Sequence, residues 1–255
     1  MSGVWAIALM AFTEAVRDRV LYSILFFALA MIGSSAVLTT LSVGGEGRIV
    51  KDLGLFCITL FGLFIAVFVG IRLLSREIER RTILLLLSRP VGRAALLVGK
   101  FVGILLTLTV NVAAMGLGLL CLARILEGAW APRLLVAVGF SLLELSVLTA
   151  FAILFAVFST PTLSAAFTVT IFVIGRLSRD LMAFASQFDS RSLQAAASAV
   201  YYLLPDLSRF TLGGLVANDL PLSGSALVLT AVYGTAYTAA VLLLAVAIFR
   251  QRDFQ

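Results

Sequence analysis

LGLFCITLFGLFIAVFVGIRLLSREIERRTILLLLSRPVGR, residues 53–93, changes character once, and that change sets the reading of the chain. Its first part, 53–74, is an unbroken apolar run interrupted only by Arg72. As a helix, about 20 such residues cross about 30 Å of hydrocarbon. Its second part, 76–93, is the densest patch of charge in the sequence and the stretch best suited to meeting a soluble partner.

The apolar pattern recurs along all 255 residues, of which 62% are hydrophobic and 13% charged, with a mean hydropathy of +1.13. A soluble fold could not hide that much apolar surface, so the chain reads as a polytopic membrane protein. Six spans are expected, at 20–41, 53–74, 94–122, 134–158, 163–174 and 226–249. The third is long enough to tilt or to extend beyond the bilayer. The fifth is short and begins beside Pro161, leaving a kink, a partial re-entry, or a continuation past Arg176 as alternatives. Barrel strands would show about ten residues of alternating polarity, which continuous apolar runs do not. The expected fold is all-α, with a single transmembrane domain over residues 1–255.

Six spans leave both termini on one side, and the positive-inside rule identifies that side by its lysines and arginines. Arg17, Arg19, Arg72, Arg76, Arg80, Arg81, Arg89, Arg93, Lys100, Arg250 and Arg252 fall on the side of the termini. Arg48, Lys51, Arg124, Arg133, Arg176, Arg179, Arg191 and Arg209 fall opposite, spread over longer loops. Both termini and the 76–93 loop are therefore expected in the cytoplasm, and the net charge of +6 reflects membrane orientation rather than nucleic-acid binding. A cleaved leader is not expected, because the apolar run after Arg19 continues well past the Ala28-Leu29-Ala30 pattern. Cys57 and Cys121 read as small apolar packing residues, not a disulfide pair.

Outside the spans, residues 1–19 are expected to form an interfacial helix on the inner leaflet, the plainer alternative being a cytoplasmic extension of the first span. Thr13, Glu14, Arg17 and Asp18 share one face, with Trp5, Leu9, Phe12 and Val16 elsewhere. The longest polar insertion, 176–225, is expected to pack on the outer mouth of the bundle, since Tyr201, Tyr202 and Phe210 are too apolar for a solvated linker. Within it a helix is predicted over 190–204, ended by Pro205, followed by a short helix closed by Gly213 and Gly214.

The chain contains no histidine, which removes histidine-based general catalysis, the H-E-x-x-H zinc site and histidine haem ligation. Two separated cysteines do not make a thiolate metal site. The run GRAALLVGKF, 92–101, fails as a phosphate-binding loop. Six residues instead of four separate its glycines, and Phe101 replaces the hydroxyl that would hold magnesium. A membrane protein without its own engine needs one attached, and 75–93 is the expected attachment. Glu77, Glu79, Arg80 and Arg81 precede the apolar run 83–87, and Ser88-Arg89-Pro90 breaks the helix before the third span. A short helix with charges toward a partner and leucines toward the bundle fits; the plainer alternative is an ordinary positive-inside loop.

The pattern R-E-I-E-R-R-T-I-L-L-L-L-S-R-P-V-G-R, followed by G-K-F, resembles the permease subunits of type-2 ABC exporters, the ABC-2 family. Glu77, Glu79, Thr82, Leu87, Pro90, Arg93, Gly99 and Lys100 carry the likeness, while Arg76, Arg80, Arg81 and Arg89 are further coupling candidates. Arg81 stands where the family often has glycine, so the local turn differs. LLPDLSRF, 203–210, resembles the branch with copper-enzyme-maturation and gliding-motility permeases.

The resemblance implies two permease copies or homologues in the cytoplasmic membrane. Each docks a separate ABC ATPase subunit through a coupling helix, and envelope or periplasmic proteins are further partners. It also implies that ATP and magnesium are held by the ATPase, with no cofactor bound by this chain and no catalytic role for it. An ATPase-driven scaffold acting on an envelope complex and an ATP-independent secondary carrier are the alternatives.

Within the spans, Glu144 lies near the middle of the fourth, where a lipid-facing charge would cost at least about 2.5 kcal/mol, so it is expected to face the bundle or a partner. Asn111 in the third span is the expected hydrogen-bond partner by depth. A substrate contact and a helix-locking pair are both open. The Gly99-x-x-x-Gly103 spacing would permit a close helix crossing.

Overall fold

The computed structural model describes residues 2–39, 46–79, 92–128, 131–185, 204–218, 220–221 and 223–251. Among them the chain is all-helical: α1 (Ser2–Val16), α2 (Arg19–Thr39), α3 (Glu46–Glu79), α4 (Arg93–Glu127), α5 (Pro132–Phe158), α6 (Pro161–Ala185), a 3-10 turn at Leu207–Phe210, α7 (Gly213–Ala217) and α8 (Gly224–Gln251). Five of these contain stretches long and apolar enough to cross a membrane, Gly47–Leu73, Ala94–Leu126, Pro132–Phe158, Pro161–Ser178 and Gly224–Gln251. The remaining expected span is α2, a 21-residue helix with a shorter apolar stretch over Arg19–Ser35.

The bundle is built around α3 and α5, which pack along each other. Both are apolar on nearly every face, as a helix enclosed by other helices must be. Ile58, Leu63, Ile65 and Ala66 of α3 and Leu145, Val147, Leu148 and Ala152 of α5 are almost wholly enclosed. Lipid tails are as apolar as leucine, so association here depends on close packing rather than on escape from water. Gly54 and Gly62 open the α3 surface: a Cβ at either would run into Leu119 of α4 or Leu145 of α5. The helix α8 lies on α5, α2 on α3 and α4, and α6 on α5 and α3.

The helix α1 is clamped to α4 by small residues on both sides. Ala8, Ala11 and Ala15 form its buried stripe. They meet the glycine pair of α4, where a Cβ at Gly99 would lie 2.8 Å from Cβ of Ile7 and one at Gly103 2.6 Å from the Ala8 carbonyl oxygen. The G-x-x-x-G spacing thus carries a close crossing, as small residues in membrane helices allow. Trp5, Leu9 and Met10 are left facing outward. Asp18 follows α1 and starts α2, its Oδ1 accepting from the Val20 N–H at 3.0 Å as an N-cap side chain does.

Several boundaries differ from the sequence expectations. Of the alternatives open for the fifth span, the helix takes the continuation: α6 runs unbroken from Pro161 through Arg176 to Ala185. Proline at a helix start gives up an N–H that has no intrahelical acceptor anyway. Gly213 and Gly214 begin α7 instead of closing a helix, and the residues before them form the 3-10 turn. The helix expected over 190–204 lies almost wholly outside the described residues, as do Arg80, Arg81, Thr82, Leu87, Arg89 and Pro90 of the coupling segment. Cys57 is buried as expected, whereas Cys121 is exposed on α4. The far end of α4 closes with Gly128 at φ +70, its N–H returned to the Arg124 carbonyl at 3.1 Å, the left-handed stop that glycine adopts without strain.

Candidate functional site

Two regions carry polar chemistry. The first is the end of the bundle where α1 and α3 finish and α4 begins. The helix α3 does not stop at its apolar limit but continues to Glu79, so that Arg76, Glu77 and Glu79 belong to the same rod as the core residues of that helix. Gly92, in extended conformation at φ −62 and ψ 146, precedes Arg93, the first residue of α4. Two contacts fix this end. The Arg72 Nη1 lies 2.9 Å from Oδ2 of Asp18, joining α3 to the α1–α2 corner. Lys100 is buried, and its Nζ donates to the Leu73 carbonyl of α3. A buried ammonium needs such an acceptor, and the carbonyl supplies one close to the charged terminus of α3. A cleft of about 620 Å³ opens beside them, lined by Glu14, Arg17, Asp18, Arg19 and Arg72 among others.

The second region begins at Glu144, which is fully buried on α5. Its two oxygens accept from Nε and Nη2 of Arg176 on α6, each at 2.9 Å. This two-point geometry is the strong form of a charged hydrogen bond, and it offsets part of the cost of placing a carboxylate inside the bundle. Phe172, one turn earlier on α6, stacks on the same guanidinium at 5.4 Å.

Asn111 is not the partner of Glu144. Its Nδ2 donates to the Thr107 carbonyl of its own helix at 2.8 Å, which satisfies it locally. Depth alone therefore pairs the wrong residues. A signal for Arg176 is present in the sequence, since Leu177, Leu181 and Phe184 continue an apolar face beyond it, and a buried carboxylate requires a cation.

Beyond the ion pair, the chain after residue 203 folds back over the same end of the bundle. Asp206, almost fully buried, accepts from the hydroxyls of Ser178 on α6 and Ser208, and from Nε of Arg209 at 3.0 Å. Its backbone N–H donates to the Tyr233 hydroxyl of α8 at 3.0 Å, and the Arg209 guanidinium lies over the Tyr233 ring at 5.3 Å. Glycines receive the neighbouring side chains. A Cβ at Gly175 would come within 2.8 Å of Leu207 Cγ, and one at Gly234 within 2.8 Å of the Phe210 ring. The P-D-L-S-R-F run is thus a clasp joining α6 to α8, with Asp206 at its centre and Leu207 and Phe210 pressed against helix backbone.

Hydroxyl contacts complete the core. Thr59 Oγ1 of α3 lies 3.4 Å from Ser141 Oγ of α5, and Ser146 Oγ of α5 lies 3.3 Å from Thr238 Oγ1 of α8. Among the described residues no cluster of three or more His, Cys, Asp or Glu side chains has the arrangement of a metal site.

Residues 5–254 match the sequence model of the ABC-2 family transporter protein family, nearly the whole chain. No curated protein matches the chain. A helical bundle with five candidate spans, a core helix that runs on into a charged end, and a family match over residues 5–254 make this chain a member of the ABC-2 transporter family, the multi-pass permease component of an ABC transporter.

Proposed function

We propose that this permease is one of two such subunits in the cytoplasmic membrane, each docking a separate ATPase through residues 76–93, and that ATP hydrolysis in those partners drives export. Both termini and the docking segment are cytoplasmic in this reading, consistent with the lysine and arginine asymmetry. The ATPases hold ATP and magnesium; the permease supplies the pathway and the lever.

The course of α3 carries the proposal. Its 34 residues span about 51 Å at 1.5 Å per residue, from Glu46 through the centre of the bundle to Glu79. A force applied at Arg76, Glu77 or Glu79 therefore acts on the helix against which α2, α4, α5, α6 and α7 pack. Closure and release of two ATPases would bias the tilt of this rod between two arrangements of the spans, a rigid-body transition driven by differential contacts. The ties from Lys100 to Leu73 and from Asp18 to Arg72 keep the driven end from fraying. An ion-coupled carrier is a weaker reading, because Glu144, the group it would use, is already engaged at both oxygens by Arg176.

Reversal of Glu77 and Glu79 to lysine is the direct test. Membrane insertion should be intact, while the ATPase partner should no longer co-purify and ATPase activity in the complex should fall. Co-purification and activity equal to the unaltered permease would refute docking through this segment.

A further inference from the structure

A pocket of about 380 Å³ opens between α3, α5, α6 and the segment 210–213. It is of a size that takes small ligands. Its polar lining is Asp52 near the start of α3, Thr59, Ser141 and Arg176, and its apolar lining includes Phe56 and Phe210. None of these residues belongs to the docking segment.

Three observations concern what would fit. Ser141 is 5% exposed, and its hydroxyl has one partner among the described residues, Thr59 Oγ1 at 3.4 Å, while the Thr59 proton goes to the Leu55 carbonyl at 3.1 Å; so long a contact leaves the Ser141 hydroxyl able to turn toward a ligand. Arg176 gives only its Nε and one Nη2 proton to Glu144, so the other edge of the guanidinium keeps its donors while the side chain borders the pocket. Asp52 makes no ion pair among the described residues, and its carboxylate lies against Gly213, where a Cβ would fall 2.5 Å from its Oδ1. The pocket thus offers donors from Arg176 and Ser141 together with an anion at Asp52. A simple cation would meet the guanidinium, and a simple anion the carboxylate.

We propose that this pocket binds a zwitterionic group, its ammonium against Asp52 and its phosphate or carboxylate against Arg176 and Ser141, with any attached chain along Phe56 and Phe210. The group is either the head of a membrane lipid or a free small zwitterion, and the two sources can be told apart.

The purified permease would be exposed to lysophosphatidylethanolamine, to lysophosphatidylglycerol and an alkylamine of the same chain length, and to chain-free phosphoethanolamine, with bound probe measured by native mass spectrometry. Placing like charges together is costly enough that the zwitterionic lysolipid should bind about tenfold better than either singly charged probe. Asp52→Asn should bring it level with lysophosphatidylglycerol. Gly213→Ala, which displaces Asp52 without changing any charge, should do the same. The Glu144→Gln/Arg176→Gln pair, neutral as a unit, should weaken both lysophospholipids relative to the alkylamine. Binding of phosphoethanolamine as well would assign a free zwitterion, and binding of the chain-bearing probe alone a lipid head. Equal retention of the three chain-bearing probes, or a zwitterion preference that survives both Asp52→Asn and Gly213→Ala, would overturn the proposal.

Discussion

Arg176 meets Glu144 edge-on, with both carboxylate oxygens 2.9 Å from guanidinium nitrogens, and the two residues differ in what surrounds them. Glu144 is sealed, whereas the Arg176 side chain is 20% exposed and reaches a pocket. Losing the arginine should therefore hurt more than losing the glutamate, because only the former strands a charge with no access to water.

Arg176→Leu is expected to cost about 3–5 kcal/mol, the range for removing one partner of a buried pair. Glu144→Leu should cost less, and the double Leu variant should recover much of the Arg176→Leu loss, since buried pairs can often be replaced by apolar residues of similar volume. Denaturant-induced unfolding of the four proteins in detergent closes a double-mutant cycle. Additive effects would show that the pair is not coupled in the folded bundle.

The α1–α4 crossing gives a second test. Gly103 faces the Ala8 backbone and the Ala11 methyl, neither of which can move aside as a flexible side chain would. Gly103→Leu should cost about 1–3 kcal/mol by overpacking and detach α1. Gly139, where an added Cβ would have nothing within 4 Å, is the matched control: Gly139→Ala should be neutral or slightly stabilising. Thermal stability, together with spin-label distances between α1 and α4, separates detachment from general unfolding.

These residues also show how far the sequence can be read. The spans are legible because hydrocarbon demands long apolar helices, and the burial of Glu144 because a charge facing lipid is too costly. The identity of its partner is not. A charge ends an apolar window, so Arg176 reads as the edge of a short fifth span although the helix continues to Ala185. Pro161 and the Gly213-Gly214 pair are ambiguous for a related reason. Proline both breaks helices and starts them, and glycine occurs at either end, so only the neighbours in space decide. At Gly213 the Asp52 carboxylate occupies the place a side chain would take. The Asp206 clasp links residues from 178 to 233, a separation over which local pattern carries no information.

That clasp is the third test. Asp206→Ala removes the acceptor of Ser178, Ser208 and Arg209 at once, and hydrogen bonds to a charged group contribute about 1.5–3 kcal/mol each where buried. Arg209 is exposed and Ser178 also reaches the Gly175 carbonyl at 2.9 Å, so their shares should be small and the loss should come chiefly from the Ser208 contact. Tyr233→Phe should be milder, at about 1 kcal/mol, because it leaves one backbone N–H unmet. Hydrogen exchange should report faster opening of residues 204–213 in both variants, with α3 and α5 unchanged. Protection of that segment at the unaltered level in Asp206→Ala would exclude Asp206 as its anchor.

The last test addresses α3 as a lever, and it must separate docking from transmission. Charge reversal at Glu77 and Glu79 is expected to remove docking, so it says nothing about how a docked ATPase moves the bundle. Three glycines inserted after Ser75 leave every docking residue in the chain but interrupt the helix between the core, which ends near Leu73, and the charged terminus. Glycine costs about 1 kcal/mol per residue in a helix interior relative to alanine, enough for a run of three to make this joint flexible. If force passes along a continuous α3, the insertion should preserve ATPase co-purification and basal hydrolysis while abolishing transport. Three alanines at the same place keep the joint helical but rotate the terminus by about 300° at 3.6 residues per turn, and four alanines by about 400°, close to the original face. Transport should therefore return better with four alanines than with three, and remain lost with three glycines. Equal transport across all three insertions would mean that the motion reaches the spans by another route than α3.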